Sequence, residues 1–309
     1  MHNHSHSHFG DVANQTTKRL ALSLGFTAIF VIIEIAAGIW GNSLALLTDA
    51  AHNFTDVIAL GLSWYALRLA LKPAHAGKTF GYHRAGILTA LVNSTTLVLI
   101  AFGIFYEAYQ RFLHPPEVNT SILIGVGGVA FLINLGTALL IKKGSEHDLN
   151  LRSAFLHLMG DVVSTLGAVI AGVIILFTNW NWLDPLVSVL IGALILYNAW
   201  GIIKQTVHIL LESAPENIDV TKMVEEIRKV EGVQDIHDLH VWSINENLRM
   251  LTAHIVISDI TVREGVLIQQ RVNELLAHEY NIQHATLQLE CEGCADNLLY
   301  CEIKEHRHV

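Results

Sequence analysis

Charge and cysteine are scarce in this chain of 309 residues. Only 15% of the residues are Asp, Glu, Lys or Arg and 52% are hydrophobic, whereas soluble domains usually carry about 25% charged residues. This composition argues against a wholly soluble protein. The chain has no basic stripe, so nucleic acid is not an expected partner. Its three cysteines all follow residue 290 and cannot form an even disulfide framework, which favours a reducing compartment for that end.

The few charges are unevenly distributed along the chain. Residues 1–204 hold 11 Lys and Arg against 10 Asp and Glu, whereas residues 205–309 hold 8 against 18. The first part is nearly neutral and apolar, and the second is acidic. We therefore expect three regions, which are a His-rich tail over 1–15, a transmembrane domain over 16–204 and a soluble domain over 205–309.

Six stretches of the first part are apolar and long enough to cross a bilayer, which takes about 20 residues. They cover roughly 20–40, 44–71, 85–112, 121–141, 154–177 and 183–203. Ten Lys and Arg lie on one side of these spans and only Arg111 on the other, so the positive-inside rule predicts that both termini are cytoplasmic. The residues before the first stretch show no signal peptide. We expect a multi-pass protein of the cell's inner membrane.

Two of the predicted spans carry ionisable residues in the same pattern. The second contains His52 and Asp56, and the fifth contains His157 and Asp161. Residues four apart share one face of a helix, and two imidazoles with two carboxylates suit tetrahedral zinc. A hydrogen bond within each pair is the alternative, but the repeat in two spans favours a metal site. We call these four residues the intramembrane cluster.

Proton chemistry favours transport of the metal over its storage. Zinc ligation requires neutral His and ionised Asp, so binding displaces protons and acid releases the metal. A site exposed alternately to the two faces exchanges zinc for protons, and an inward proton gradient then drives zinc out. Glu34 and Glu107, in other spans, are weaker candidates for lining the pathway.

The acidic part has the pattern of a small α-β-β-α-β domain. Its elements are expected at about 215–230, 234–244, 249–258, 262–279 and 284–290. Apolar residues alternate along the strand patterns and recur at helical spacing between them. The order predicts an open-faced α+β sandwich of the ferredoxin or metallochaperone type, with its outer strands paired in parallel.

Residue types that bind metals gather on and after the predicted strands. They are His237, His240, His254, His284 and Glu290, followed by Cys291, Cys294 and Cys301. A Cys-x-x-Cys motif beside His and Glu is compatible with a zinc site, but polar surface positions on strands give the same pattern. The alternating His2, His4, His6 and His8 of the tail can capture zinc weakly without a fold.

Four sequence motifs resemble those of the cation diffusion facilitator family. Residues 43–53 with Asp56 resemble its second-helix signature, and residues 80–88 resemble its cytoplasmic loop motif. Residues 157–161 are similar to its fifth helix, and 241–243 to its soluble domain. The resemblance extends from about residue 16 to residue 290.

The resemblance implies a homodimeric exporter of divalent cations that works as a metal–proton antiporter by alternating access. It implies six spans and cytoplasmic metal-binding domains that meet at the dimer interface. Its transport site falls on the intramembrane cluster, and His at the first position of each pair implies zinc, with cadmium and cobalt as further substrates. Its soluble-domain site falls on His237, His254 and Glu290, which we call the strand cluster.

The resemblance extends to the loop between the second and third spans. It implies a third metal site there that could involve His75 or His83, and a pair between Arg84 and an acid such as Glu212 that fixes the dimer interface. Many relatives carry a His-rich loop between the fourth and fifth spans, where this chain has only His147. The tail over 1–15 is therefore the better candidate for capturing ions.

Two other classes of function compete with zinc export. An intramembrane metalloenzyme would need an open coordination position with water and a general base beside it, which four protein ligands do not leave. A membrane-anchored metal sensor would leave the paired intramembrane residues unexplained. The expected partners are therefore the lipid bilayer, divalent metal ions, protons and a second copy of the chain.

Overall fold

The computed structural model describes residues 25, 27–142, 149–291 and 299. Within these residues six helices precede the soluble domain, and they are α1 (Thr27–Trp40), α2 (Leu44–Ala70), α3 (Ala85–Leu113), α4 (Thr120–Lys142), α5 (Leu149–Thr178) and α6 (Leu183–Leu210). The soluble domain comprises α7 (Val220–Arg228), β1 (Val233–Ser243), β2 (Arg249–Ile257), α8 (Val262–Tyr280) and β3 (His284–Glu290). The chain forms two compact units, and Tyr65–Leu91 belongs to the same unit as the residues from Lys204 onward.

Four helices among the described residues are long and apolar enough to cross a membrane, namely Ala85–Leu113, Thr120–Leu140, Phe155–Thr178 and Leu183–Leu210. They correspond to the last four predicted spans. Helix α2 has 27 residues, but Asp49, His52 and Asp56 lower its hydropathy. Helix α1 is a shorter apolar helix, because the predicted first span begins outside the described residues. The helical membrane architecture is confirmed, and α1 and α2 stay predicted spans.

Small residues let the membrane helices approach one another closely. Ala37, Ala45 and Ala168 are buried in one packing cluster with Leu46 and Leu123. A Cβ added at Gly172 of α5 would lie 3.0 Å from side-chain atoms of α4. Small interface residues are typical of helix packing in lipid, where close backbone approach replaces the hydrophobic drive.

The soluble domain is a three-stranded sheet in the order β1-β2-β3. Strand β2 pairs antiparallel with β1 and parallel with β3, and α8 provides the crossover that a parallel pair requires. The core cluster takes residues from both helices and all three strands, among them Met223, Leu251, Ile255 and Leu276. The predicted α+β sandwich is confirmed.

Two details of the soluble domain correct the sequence-based expectation. Helix α7 begins at Val220 rather than at Pro215, because the side chain of Asp219 accepts a hydrogen bond from the backbone N–H of Lys222 and caps the helix there. The outer strands β1 and β3 do not pair with each other, because β2 lies between them. The parallel partner of β3 is β2.

Candidate functional site

The structure brings the intramembrane cluster together between α2 and α5. His52 Nε2 lies 3.4 Å from Asp161 Oδ1, and His157 Nε2 lies 3.2 Å from Asp56 Oδ2. The two imidazole rings are 5.5 Å apart, edge to face. Single ligand atoms of His52, His157 and Asp161 all lie within 4.8 Å of one another. These three side chains are therefore close enough to share one cation, and Asp56 Oδ2 contacts both imidazoles, at 3.2 Å from His157 and 3.6 Å from His52.

The shortest contacts in this cluster join the two helices rather than neighbours on one helix. The contacts within a helix, His52 to Asp56 and His157 to Asp161, are longer at 3.6 and 3.8 Å. Internal hydrogen bonds within each pair therefore do not account for the arrangement. The Nδ1 atom of His52 is also buried and has no hydrogen-bond partner among the described residues.

A second group of polar side chains, which sequence reasoning missed in part, lies one turn away on α1 and α2. Asn53 Nδ2 donates to Glu34 Oε2 at 3.2 Å and to Asp49 Oδ2 at 3.3 Å. Glu34 is fully buried, and so is its Oε1 atom, which has no hydrogen-bond partner among the described residues. Asp49 and Asn53 belong to the second-helix motif, which was the available signal. The other pathway candidate, Glu107, accepts from Arg111 on its own helix at 3.0 Å.

The N-terminal end of α2 is fixed by a residue of α6. Asp184 is fully buried, and its carboxylate accepts from the hydroxyl of Ser43 and the backbone N–H of Leu44, both at 2.6 Å, and from the N–H of Ala45 at 3.2 Å. Arg111 Nη1 lies 3.9 Å away. A carboxylate at a helix N-terminus satisfies free N–H groups and complements the helix dipole. Asp184 therefore anchors the helix that carries His52.

The strand cluster forms because strand register places its residues side by side. His237 on β1 pairs with His254 on β2, and Val256 of β2 pairs with Glu290 of β3. His237 Nε2 lies 3.1 Å from Glu290 Oε2, and His254 Nδ1 lies 2.9 Å from Glu290 Oε1. His237 Nε2 and His254 Nδ1 are both buried, and neither has a hydrogen-bond partner among the described residues. Such nitrogens are available to a cation.

Two further polar residues sit beside the strand cluster. The pairing of β1 with β2 shifts register between His237 and His240, and Asp238 within this irregularity has φ 48°, a conformation that Asp tolerates. Asp238 Oδ2 lies 3.6 Å from His254 Nε2, and its Oδ1 lies 3.3 Å from His240 Nε2. Sequence reasoning missed Asp238, because the alternation of a strand does not reveal a bulge.

The other soluble-domain candidates lie outside the cluster. His284 is exposed, and its ring centroid lies 6.3 Å from that of Phe80. Cys291 is an exposed free thiol. Cys294, Cys301, His147 and the tail histidines lie outside the described residues.

The loop between α2 and α3 contains the third set of candidates. His75 Nε2 lies 3.3 Å from the Tyr82 hydroxyl, and its Nδ1 accepts from the N–H of Gly77, so both ring nitrogens have protein partners. His83 is half-buried, and no described metal group includes it. Arg84 donates to Glu212 at 2.8 Å, so the expected contact is present, and its role at a dimer interface stays a prediction.

Two family models together match most of the chain. The one described as the cation efflux transmembrane domain matches residues 20–211, and the one described as the cytoplasmic domain of cation efflux proteins matches residues 215–292.

Full-length relatives are also similar to the chain. A protein of Bacillus subtilis (strain 168) named a cadmium, cobalt and zinc/H(+)-K(+) antiporter is 38% identical, over 96% of this chain and 98% of that one. The zinc transporter ZitB of Pectobacterium atrosepticum is 37% identical, over 99% and 93%. Among solved structures, the metal-bound C-terminal domain of the CzcD transporter of Cupriavidus metallidurans is 29% identical, over 24% of this chain and 99% of that one, with a TM-score of 0.22.

Proposed function

Because the chain belongs to the cation efflux family, we propose that it exports zinc in exchange for protons through the intramembrane cluster. Family membership follows from the two family models and from full-length relatives more than 30% identical, and it confirms the resemblance to cation diffusion facilitators. The protein is thus a multi-pass membrane transporter of metal cations and not an enzyme. Zinc as the preferred ion, protons as the counter-ion and the four ligands are the proposed part.

The observation that carries the proposal is the convergence of two imidazoles and two carboxylates from α2 and α5. The cross-helix contacts of 3.2 and 3.4 Å leave all four side chains around one small volume. Two nitrogen and two oxygen donors match tetrahedral zinc better than the oxygen-rich shells of magnesium or calcium. Cadmium and cobalt are further substrates of the proposal, since the Bacillus subtilis relative is named for all three metals.

The same side chains supply the proton coupling. Each imidazole contacts a carboxylate across the two helices, and the same nitrogen and oxygen atoms that can bind a cation can bind protons. Zinc binds only to neutral His and ionised Asp, so metal entry expels protons and proton entry expels metal. If the cluster opens to one face of the membrane and then to the other, protons that enter down an inward gradient displace zinc to the outside.

The proposal includes the soluble domain and the orientation. The strand cluster binds a divalent cation, the soluble domains of two copies form the dimer, and both termini face the cytoplasm of a cell with the protein in its inner membrane. Support comes from the domain description of the second family model and from the excess of Lys and Arg on one side of the spans.

Flux in reconstituted vesicles tests the proposal. Asp56→Asn and Asp161→Asn remove one carboxylate charge each from the cluster, and we expect either change to lower zinc flux at least tenfold. Glu117→Gln is the matched control, because Glu117 is an exposed carboxylate in the loop before α4 and its neutralisation is expected to leave flux unchanged.

Two results would contradict the proposal in separate ways. Wild-type flux in both Asp variants would exclude the intramembrane cluster as the pathway. Equal zinc flux with and without a pH gradient, and without proton counter-movement, would exclude antiport while leaving the site intact. Deletion of residues 205–309 tests the sensor alternative. If zinc flux persists without these residues while the response of cells to metal is lost, the soluble domain acts as a sensor.

A further inference from the structure

We propose that Asp238 is a positioning residue for metal binding by the strand cluster: its carboxylate faces Nε2 of His254, favours the ring proton on that nitrogen and so leaves the Nδ1 lone pair for the cation. The inference rests on the proposed cation site at His237, His254 and Glu290. It assigns a role to a residue that is not itself a ligand.

The two ring nitrogens of His254 face two different carboxylates. Its Nδ1 lies 2.9 Å from Glu290 Oε1, and its Nε2 lies 3.6 Å from Asp238 Oδ2. A neutral imidazole carries one proton, and a metal requires the other nitrogen to be bare. Nδ1 is buried beside the ligand Glu290 and has no satisfied hydrogen bond among the described residues. We therefore assign the proton to Nε2, which the Asp238 carboxylate faces at 3.6 Å, an electrostatic contact longer than a hydrogen bond.

The backbone holds Asp238 in that position. It lies at φ 48° in the register irregularity of β1, which turns its side chain toward the neighbouring strand instead of continuing the strand's alternation. A histidine on the other side steadies the carboxylate, since His240 Nε2 lies 3.3 Å from Asp238 Oδ1. His240 is therefore linked to the site through Asp238 rather than as a ligand.

The chemistry gives the arrangement a measurable consequence. Histidines that ligate metals usually donate their second N–H to a carboxylate, which fixes the tautomer and makes the ligand more basic, and loss of that partner lowers metal affinity about 10–100-fold. The ligand Glu290 has a comparable support, because Gln288 Nε2 donates to its Oε1 at 2.7 Å. Both ligands would then be oriented before the cation arrives.

Zinc and cobalt binding to the full-length protein tests the role of Asp238. The background carries His52→Ala and Asp161→Ala, so that the intramembrane cluster does not contribute. In that background Asp238→Gly removes the carboxylate while tolerating the positive φ, and Asp238→Asn retains one acceptor oxygen. We expect zinc affinity to fall about 10–100-fold with Gly and less with Asn. The absorption bands of bound cobalt should shift in energy, because the basicity of His254 changes. Their intensity should stay the same, because the ligands themselves are unchanged.

Three comparisons decide the outcome. His240→Gln, the control at the far side of Asp238, should weaken zinc binding less than Asp238→Gly does. Unchanged zinc affinity and an unshifted cobalt spectrum in Asp238→Gly would overturn the inference. It would also be overturned if the loss of affinity came with a lower melting temperature of the metal-free protein, because Asp238 would then be a purely structural residue. Glu290→Ala tests separately whether the strand cluster binds the cation at all. If this variant binds zinc as tightly as its background does, the strand cluster is not the site.

Discussion

The carboxylate of Asp184 accepts a hydrogen bond from the hydroxyl of Ser43 at 2.6 Å, although 141 residues separate them in the chain. The same carboxylate accepts from the N–H of Leu44, so a residue of α6 caps the first turn of α2. Both side chains are fully buried. Since α2 carries His52 and Asp56, this contact fixes the end of a helix that positions half of the intramembrane cluster.

Removal of this cap should destabilise the membrane domain. Asp184→Ala leaves the Ser43 hydroxyl and two backbone N–H groups of α2 buried without acceptors, and we expect a loss of about 2–4 kcal/mol in the free energy of unfolding. Ser43→Ala removes a hydroxyl that donates to Asp184 and accepts from the N–H of Leu46, and it should cost about 1–2 kcal/mol. Unfolding of the purified protein in detergent measures both changes. An Asp184→Ala variant as stable as Ser43→Ala would show that the cap contributes little.

The parts of the molecule that sequence could predict depend on local periodicity. The i,i+4 spacing of His52 and Asp56 placed both on one helix face, and period-two alternation from Leu251 to Ile257 placed β2 within two residues of its observed bounds. A repeated His-x3-Asp pattern was enough to associate two distant helices, because isolated buried ionisable groups are too costly to occur without partners.

The parts that sequence could not predict depend on contacts between distant residues. Nothing local to Asp184 indicates that it caps α2, since its partners are more than 130 residues away. Asp238 was missed for a different reason: a β-bulge turns one side chain out of the alternation without changing the composition of the strand. Both misses are residues that position a site rather than form it.

Ion preference should change when the nitrogen content of the intramembrane cluster changes. His52→Asp replaces one imidazole by a third carboxylate, and oxygen-rich sets favour harder cations such as manganese, whereas imidazole favours zinc. We expect zinc flux to fall at least tenfold and manganese flux to rise from background. His52→Ala is the control, because it removes the imidazole without adding oxygen. A His52→Asp variant that kept its preference for zinc would place selectivity elsewhere.

The pair between Arg84 and Glu212 should contribute little to stability on its own. Its hydrogen bond is short, at 2.8 Å, but the side chains are 37% and 60% exposed, and exposed ion pairs are worth about 0.2–1 kcal/mol. A double-mutant cycle with Arg84→Ala and Glu212→Ala should give a coupling energy in that range, decreasing as salt is raised. A coupling well above it would indicate that the pair is buried in the dimer.

Acid should weaken the contact between α7 and α8 over a defined pH range. The Tyr280 hydroxyl donates to Glu226, and this hydrogen bond holds the pKa of the Glu226 carboxyl below its usual value. A lowered carboxyl pKa stabilises the fold above the unfolded-state pKa of about 4.3, and this contribution disappears as the pH falls through the folded-state pKa. Tyr280→Phe removes the donor, so the stability gap between the wild type and this variant should be constant from pH 7 to 5 and should narrow below about pH 4.3. Thermal unfolding of both proteins across that range measures the gap, and parallel curves down to pH 3 would show that the hydrogen bond does not control this carboxyl.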